Sequence, residues 1–284
     1  MPTFNDQSSH TADGLVYIRS LTDIPFSKEM WAIFQTAEKI SPEDMTRATR
    51  GTLMYPFMEA RYLMTDHEIA KSGIAQVLEL ASGLSPRGIA MTASPAVTYV
   101  EMDLAGKLAT KKMVIDRLIA QGTITARPNL YLEEGNVTNT ADFENAAQRF
   151  ADNKPIAVIC EGLLRYISPE DRKTLATNIY NLLKKNGGIW TTPDLEFLDI
   201  IQSSPKEKER YDDRVKKFGY DIRLNIFKNE ADAVAFFEGC GFHVTKHPLA
   251  NLVDELTILA RIGISKEEAA QALAHWFNFT MTVE

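Results

Sequence analysis

The chain has 284 residues, of which 45% are hydrophobic and 24% are charged, and this composition indicates a folded globular protein rather than a disordered or fibrous one. No apolar run approaches the roughly 18 residues that span a bilayer, and the first residues lack a signal-peptide core, so we expect a cytoplasmic protein with no membrane partner. The formal net charge of −7 disfavours nonspecific nucleic-acid binding, and Cys160 and Cys240 stand outside any Cys/His cluster, so neither a disulfide nor a zinc site is expected.

The first 72 residues have a helical pattern without a strand signal, and helices are predicted at 27–40, 42–49 and 56–72. From residue 76 onward, short β-rich runs alternate with helical patterns, which predicts a parallel sheet with helical crossovers. The five predicted strands are short and mostly apolar, as expected for burial on both faces: 76–80, 98–102, 129–133, 156–160 and 188–192. The clearest helix follows the fourth strand, because Ser168 can cap it, Pro169 suits its first position and Gly187 ends it.

After the fifth strand the order of elements changes. The pattern predicts helices at 205–218, 230–238 and 265–274, and strands at 242–246 and 275–282. Two strands joined without a full crossover predict an antiparallel closing hairpin. We therefore expect one α/β domain over residues 1–284, made of a helical cap (1–72), a cofactor-binding core (73–194), a helical insert (195–230) and closing strands (231–284).

A loop of small residues, 81–88, follows the first strand, and such loops let the backbone approach a ligand closely. A phosphate-binding P-loop needs Lys-Ser or Lys-Thr after its second glycine, but Gly88 is followed by Ile89. A dinucleotide fingerprint needs three glycines, and only Gly83 and Gly88 are present. Nucleoside triphosphates and NAD are therefore disfavoured as ligands.

Acidic residues stand at the ends of the first two strands. A carboxylate at Asp103 can accept both hydroxyls of a ribose, and Glu79 stands where an ammonium or sulfonium could be balanced. This pair suits a nucleoside that carries a cationic group and no phosphate. A sharp turn with solvent-facing acids remains the alternative for this motif alone.

The next two strand ends add polar residues at the same edge of the sheet, where ligands bind in open α/β sheets. After the third strand, Asn136 and Val137 could place a side-chain amide and a backbone N–H beside an adenine. After the fourth strand come Glu161, Arg165 and Tyr166.

The order ELASG, VEMDL, GNV and CEGLLRYISPED resembles the class I S-adenosylmethionine-dependent methyltransferases, and within them the leucine carboxyl methyltransferase family and its bacterial O-methyltransferase relatives. The resemblance covers roughly residues 55–194. It implies a Rossmann-like, seven-stranded, mostly parallel sheet with an antiparallel closing strand and an N-terminal helical cap. It also implies S-adenosyl-L-methionine as the methyl donor and S-adenosyl-L-homocysteine as the product.

The resemblance assigns roles residue by residue. The arginine that grips the cofactor carboxylate is matched best by Arg61, with Arg50 as the runner-up. The resemblance also implies that Glu79, Ala81 and Gly83 line the methionine part of the cofactor and that Asp103 holds its ribose. Asn136 and Val137 would face the adenine. Glu161 would lie beside the cofactor, and Tyr166 would face the acceptor pocket. Ala81 replaces a glycine and Asn136 an aspartate that are frequent in class I enzymes, and neither change blocks binding.

The segment between Arg61 and the first strand is short for the eukaryotic family members, which favours a small acceptor over a protein tail. A carboxylate is already ionised near pH 7 and needs no general base, whereas a phenol would profit from one, and no histidine is well placed in the predicted cleft. We therefore expect methyl transfer to an oxygen, preferably of a carboxylate, with Tyr166 orienting the acceptor and Arg165 balancing its charge.

Other functions remain open at this point. They are phenolic O-methylation, N-methylation, non-catalytic binding of the cofactor or its demethylated product, and nicotinamide-dependent oxidoreduction. His243 and His247 lie four residues apart, but no carboxylate or cysteine stands at ligand spacing, so a surface role is favoured over a metal site. The sequence does not indicate the oligomeric state.

Overall fold

The structure, a computed structural model, describes residues 14–41, 43, 54–203, 205–218 and 221–284. Arg50, and all of the helix predicted at 42–49 except residue 43, lie outside the described residues.

A seven-stranded sheet with the order β3-β2-β1-β4-β5-β7-β6 organises the chain. Strands β1 to β5 pair in parallel, whereas β7 is antiparallel to both β5 and β6. The predicted parallel sheet with an antiparallel closing pair is therefore confirmed, although β3 begins one residue later than predicted and the last strand two residues later. The strands are β1 (Gln76–Leu80), β2 (Thr98–Asp103), β3 (Leu130–Glu134), β4 (Ile156–Cys160), β5 (Gly188–Thr192), β6 (His243–Pro248) and β7 (Phe277–Thr282).

Helices precede the sheet, cross over between its strands and form an insert after β5. The Ser168 hydroxyl accepts a bond of 3.0 Å from the Asp171 N–H, and Ser265 forms a capping box with Glu268. The helices are α1 (residues 14–20), α2 (Ser27–Glu38), α3 (Met54–Ser72), α4 (Arg87–Met91), α5 (Ala105–Ala120), α6 (Thr140–Ala147), α7 (Pro169–Asn186), α8 (Leu198–Ser203), α9 (Pro205–Phe218), α10 (Glu230–Gly239), α11 (Leu259–Ile262) and α12 (Lys266–Leu273).

Both faces of the sheet are covered by helices, because alternate residues of each buried strand are apolar on either side. One face packs through Val77, Tyr99 and Ala157 against Ile69 of α3. The opposite face forms the largest core cluster, in which side chains of α6, α7 and α10 contact the sheet.

The connection between β6 and β7 is longer than a hairpin turn. Residues 249–273 contain a 3-10 helix (Leu249–Glu255) followed by α11 and α12, and this segment packs on α3 and shares an apolar cluster with it. The buried Glu59 carboxylate of α3 accepts the N–H groups of Thr257 and Ile258 at 3.0 and 2.9 Å. The segment before β7 therefore belongs to the helical cap in space.

The five parallel strands, β1 to β5, end at one edge of the sheet. Their carboxyl ends bring together the segments that follow them, which contain the residues predicted to form the site.

Candidate active site

Strand β2 holds the turn that follows β1. The Ala81 N–H donates to the Met102 carbonyl at 2.8 Å, and the Gly83 N–H donates to Asp103 Oδ2 at 2.7 Å. Ala81 and Gly83 have φ angles of 51° and 50°, so both adopt the left-handed conformation that favours glycine. Class I enzymes often carry a glycine at the position of Ala81, and a glycine adopts this conformation without the steric cost of a Cβ.

Asp103 lies at the end of β2 and is 8% exposed. Its two carboxylate oxygens accept the N–H groups of Gly83 and Leu104, both at 2.7 Å. Burial raises the pKa of Asp103, and these two backbone donors oppose that rise. Because each carboxylate oxygen can accept more than one bond, Asp103 retains acceptor capacity for a pair of ribose hydroxyls.

Glu79 lies one residue before the end of β1 and is 2% exposed. One of its oxygens accepts a bond of 2.6 Å from Arg87 Nη1, and the other accepts the Tyr99 hydroxyl at 3.0 Å. The structure therefore places Glu79 inside a buried charge network, in which it can act on a cationic ligand through its charge.

Glu161, directly after β4, receives three guanidinium groups. Arg19 Nη2 and Arg87 Nη2 donate to its two oxygens at 2.9 and 3.0 Å, and Arg61 Nε lies 3.5 Å from Oε1. Burial alone would raise the pKa of Glu161, but these three cations outweigh that effect and lower it to about 2. Glu161 is therefore ionised throughout the physiological range.

Arg61 of α3 is 5% exposed and lies between Glu161 and Asp194. Its Nη2 donates to Asp194 Oδ1 at 2.7 Å, and Asp194 also accepts the N–H groups of Gly162 and Leu163, both at 2.6 Å. Arg61 Nε is buried and makes no hydrogen bond within the described part of the chain. Although Nε makes no such bond, it lies within ion-pair distance of Glu161, so Arg61 is held between two carboxylates. A guanidinium in this position suits the carboxylate of an amino-acid ligand.

Arg87, in the first turn of α4, is fully buried and joins the two halves of this network. Besides Glu79 and Glu161, it donates through Nε to Asp66 Oδ1 at 2.5 Å, and its guanidinium lies 4.0 Å from the centre of the Tyr62 ring. The guanidinium is therefore fixed in orientation by carboxylates from three segments of the chain.

The third strand end is more open. The Asn136 N–H donates to Asp142, and the Asn136 side-chain oxygen accepts the N–H and hydroxyl of Thr138 at 3.1 and 2.9 Å. Val137 is 6% exposed and its side chain belongs to the core cluster that contains Met102. Asn136 thus lies at the exposed rim of the edge, where its amide NH₂ can serve a ligand, and Val137 can contribute only through its backbone or the wall it forms.

The segment after β4 is anchored to the helical insert through Arg165. Its Nη1 donates to Glu196 Oε1 at 2.5 Å and its Nη2 to the Tyr211 hydroxyl of α9 at 3.1 Å, while that hydroxyl donates to the other Glu196 oxygen. The charge of Arg165 is therefore balanced by Glu196. Tyr166 is half-buried, with its ring centre 5.6 Å from the Arg165 guanidinium.

Four residues of this network were not among the predicted site residues: Arg19, Asp66, Arg87 and Asp194. Asp194 follows β5 closely, so the rule that selected the other strand-end carboxylates could have found it. Arg87 stands within the small-residue loop, where its charge was the available signal. Nothing local marks Arg19, which meets Glu161 only because α1 packs over the edge of the sheet.

Three of the histidines in the described ranges pair with glutamates that lie outside this network. His67 lies 3.0 Å from Glu255, and His247 lies 3.3 Å from Glu68; His243 contacts Glu284 near the end of the chain. Within the described residues there is no cluster of three or more metal-ligating side chains, and no helix is long and apolar enough to cross a membrane.

Comparisons with known proteins agree with this geometry. The family model described as leucine carboxyl methyltransferase matches residues 12–180. A protein from Mycolicibacterium gilvum is 25% identical over 244 residues, which cover 82% of this chain and 73% of that protein. One from Mycobacterium marinum is 27% identical over 195 residues, which cover 65% of this chain and 57% of that protein. Both carry the name S-adenosyl-L-methionine-dependent methyltransferase.

Among solved structures, a duf574 family protein from Streptomyces avermitilis is similar to this chain. The superposition covers 99% of this chain and 100% of that protein's chain. The TM-score is 0.58 and the sequence identity is 17%, so this likeness concerns the fold. The fold is that of the class I methyltransferases, with the seven-stranded order described above.

Proposed function

The chain belongs to the leucine carboxyl methyltransferase family and is an S-adenosylmethionine-dependent methyltransferase, and we propose that it methylates an oxygen, preferably of a carboxylate, on a small acceptor. When bound, S-adenosylmethionine supplies a methyl group that its sulfonium has already activated. The protein's task is then to bind, to orient the acceptor and to exclude water.

The observation that supports the location of the cofactor is the charge of the cluster at the carboxyl edge, in which every side chain except the partly exposed Asp66 is buried. A cationic ligand is favoured there because the carboxylates outnumber the guanidiniums by one. The cluster contains the cations Arg19, Arg61 and Arg87 and the anions Asp66, Glu79, Glu161 and Asp194.

We assign the contacts with the cofactor as follows. Arg61 binds its carboxylate with the guanidinium that lies between Glu161 and Asp194, and Asp103 binds its ribose. Ala81 and Gly83 let the turn approach the methionine part, and Glu79 and Glu161 supply the negative field beside it. Asn136 and Val137 contribute at the adenine end.

Two features support a carboxylate acceptor. The matching family model carries the description of a carboxyl methyltransferase, and His67 and His247, which could serve a phenol as general bases, are paired with glutamates outside the site. A carboxylate also carries the charge opposite to that of a sulfonium, so their reaction removes charge and is favoured in a site of low dielectric.

The segment after β4 serves the acceptor in this proposal. Tyr166 orients the acceptor oxygen with its hydroxyl. Because Glu196 already balances the charge of Arg165, we assign Arg165 the role of fixing the insert against this segment, so that its guanidinium contributes only residual positive potential to the acceptor.

The experiment is a screen of small carboxylic acids, phenols and amines with methyl-labelled S-adenosylmethionine. A methyl ester hydrolyses in alkali and releases labelled methanol, whereas an aryl ether or an N-methyl group is stable. The proposal predicts labelled product with at least one carboxylic acid and release of its label at high pH. Label that appears only in alkali-stable products would overturn the carboxylate assignment and favour a phenol or an amine.

A further inference from the structure

A fully buried ion pair lies beneath the loop that follows β1. Glu101 of β2 and Lys111 of α5 are both 0% exposed, and the Lys111 ammonium contacts Glu101 Oε2. Neither residue contacts the arginine network at Glu161, so the catalytic scheme above makes no use of this pair.

The Glu101 carboxylate contacts both ends of loop 81–88. At the start of the loop, the Ser82 hydroxyl donates to Glu101 Oε2 at 3.3 Å. At the other end, Gly88 leaves the space that Glu101 Oε1 occupies, since a Cβ at residue 88 would collide with this oxygen. A hydroxyl at residue 82 and the absence of a Cβ at residue 88 therefore allow the Glu101 carboxylate to contact both ends of the loop.

Asp103 lies two residues after Glu101 on β2 and accepts the Gly83 N–H, which fixes the middle of the same loop. Glu101 and Asp103 project from the same side of the strand, because side chains two residues apart do so. Lys111 also acts on Asp103, whose pKa it lowers against the effect of burial. One ammonium thus influences both carboxylates that fix the loop.

Such a pair is not explained by stability. Desolvating two charges costs about as much as their attraction returns, and apolar residues of similar volume are often at least as stabilising. An apolar side chain at residue 101, however, could not accept the Ser82 hydroxyl. What the carboxylate adds is therefore a defined position for the loop.

We propose that Glu101, with Lys111 as its counter-ion, is a positioning residue that sets the turn 81–83 for cofactor binding. The inference rests on the proposed function, which places the cofactor at this turn. Glu101 acts through Ser82 and the adjoining Gly83, and it does not itself touch the ligand.

The pair also gives cofactor affinity a dependence on pH. The charged and titratable groups that act on Glu101 are Lys111 from α5, Glu79 from β1 and Tyr99 from its own strand, and Lys111 also acts on Asp103. Burial raises the pKa of Glu101 to about 7, although Lys111 opposes this rise. Protonation removes the negative charge that pairs with Lys111 and strengthens the bond from the Ser82 hydroxyl, so affinity falls as pH falls through this value.

The test is calorimetric titration of the folded protein with S-adenosylhomocysteine at pH 8. Glu101→Gln keeps the shape of the side chain and removes its charge, and we expect an affinity weaker by about tenfold. Ser82→Ala removes one hydrogen bond and is expected to weaken it by about threefold. Lys112→Met is the matched control, because Lys112 is the next residue on α5, has a side chain that is 67% exposed and forms an exposed ion pair with Asp116.

A second readout separates positioning from general stability. In the wild type, affinity should rise between pH 6 and pH 8, and in Glu101→Gln this rise should be absent. If Glu101→Gln does not fold, Ser82→Ala decides the question alone. Wild-type affinity in both variants, or the same pH dependence in Glu101→Gln as in the wild type, would overturn the inference.

Asp103→Ala distinguishes the inference from the proposal on which it rests. If Asp103→Ala binds S-adenosylhomocysteine as the wild type does, the assignment of the cofactor site itself fails. If Asp103→Ala loses affinity while Glu101→Gln and Ser82→Ala do not, only the positioning role of Glu101 fails.

Discussion

Ala81 holds the turn after β1 in a conformation that costs free energy for any residue with a Cβ. Its φ of 51° places it in the left-handed region, where a non-glycine residue is disfavoured by about 1 kcal/mol. The turn nevertheless accepts alanine, because the 81 N–H is held by the Met102 carbonyl and Gly83 provides the adjacent left-handed position. The sequence shows an alanine where class I enzymes often have a glycine, and the structure shows that this alanine has a strained backbone conformation.

Ala81→Gly should therefore leave the free energy of unfolding unchanged or raise it by up to about 1 kcal/mol, since the relief of strain offsets the added entropy of the unfolded chain. Urea unfolding measures this change. Ala235→Gly is the matched control: residue 235 lies on the exposed side of α10, and the same substitution there should cost about 1 kcal/mol. Equal losses in both variants would contradict a strained turn.

Arg61→Lys should weaken the binding of S-adenosylhomocysteine by more than about tenfold, because an ammonium cannot keep the bond to Asp194 and also serve a ligand carboxylate as a planar guanidinium does. Arg149→Lys, at an exposed pair with Glu133, is the control and should bind as the wild type does. Loss of affinity in Arg50→Lys and not in Arg61→Lys would assign the carboxylate to the other arginine.

Tyr166→Phe should leave cofactor affinity unchanged and slow single-turnover methylation about five- to tenfold, the effect of losing one hydrogen bond of about 1 kcal/mol. A tyrosine that acts as general base would instead cost roughly 10²- to 10⁴-fold and give a rate that climbs with pH. Full activity in the variant would place the Tyr166 hydroxyl outside the acceptor site.

At the scale of elements, regular patterns predicted the fold well where local signals and tertiary packing agree. The buried parallel strands and the capped helix α7 follow from apolar runs and from Ser168, Pro169 and Gly187. The helical segment 249–273 was predicted only in part, because the 3-10 helix has a short irregular pattern and gains its stability from packing on α3. Its position against the helical cap is a long-range property that no local pattern contains.

One buried ion pair, Arg165–Glu196, joins the insert to the segment after β4. Arg165→Met should lower the free energy of unfolding by about 3 to 5 kcal/mol, since Glu196 would remain buried without its cation. Lys216→Met, at an exposed pair with Asp213 on α9, should change it by less than about 1 kcal/mol. Hydrogen exchange of α9 should accelerate in the first variant alone, and equal exchange in both would show that the insert is held elsewhere.

At the scale of the whole molecule, the site is made from segments far apart in the chain. The strand-end rule located Asp103, Asn136 and Glu161 from the sequence, because the edge of a parallel sheet collects them. It could not locate Arg19, which lies 142 residues from its partner Glu161. Charge balance in a buried network is decided by tertiary packing, so its cations are harder to predict than its strand-end carboxylates.

This network gives stability a defined pH dependence. The pKa of Glu161 is lowered in the folded state to about 2, so its contribution is complete above the unfolded value near 4.5 and is lost as pH falls from there towards 2. The difference in unfolding free energy between the wild type and Glu161→Gln should be constant above pH 5 and shrink below about pH 4.5. Urea unfolding at several pH values checks this, and a difference independent of pH would contradict the assigned ion pairs.

Every role assigned to the site requires that the carboxyl edge of β1, β2 and β4 binds S-adenosylmethionine around Asp103. Calorimetric titration with S-adenosylhomocysteine, in the wild type and in Asp103→Ala, tests this claim most directly. We predict that the wild type binds and that Asp103→Ala loses about 1.5 to 3 kcal/mol of binding free energy, the range for a hydrogen bond to a charged group. No binding to the folded wild type, or equal affinity in the folded variant, would contradict the claim.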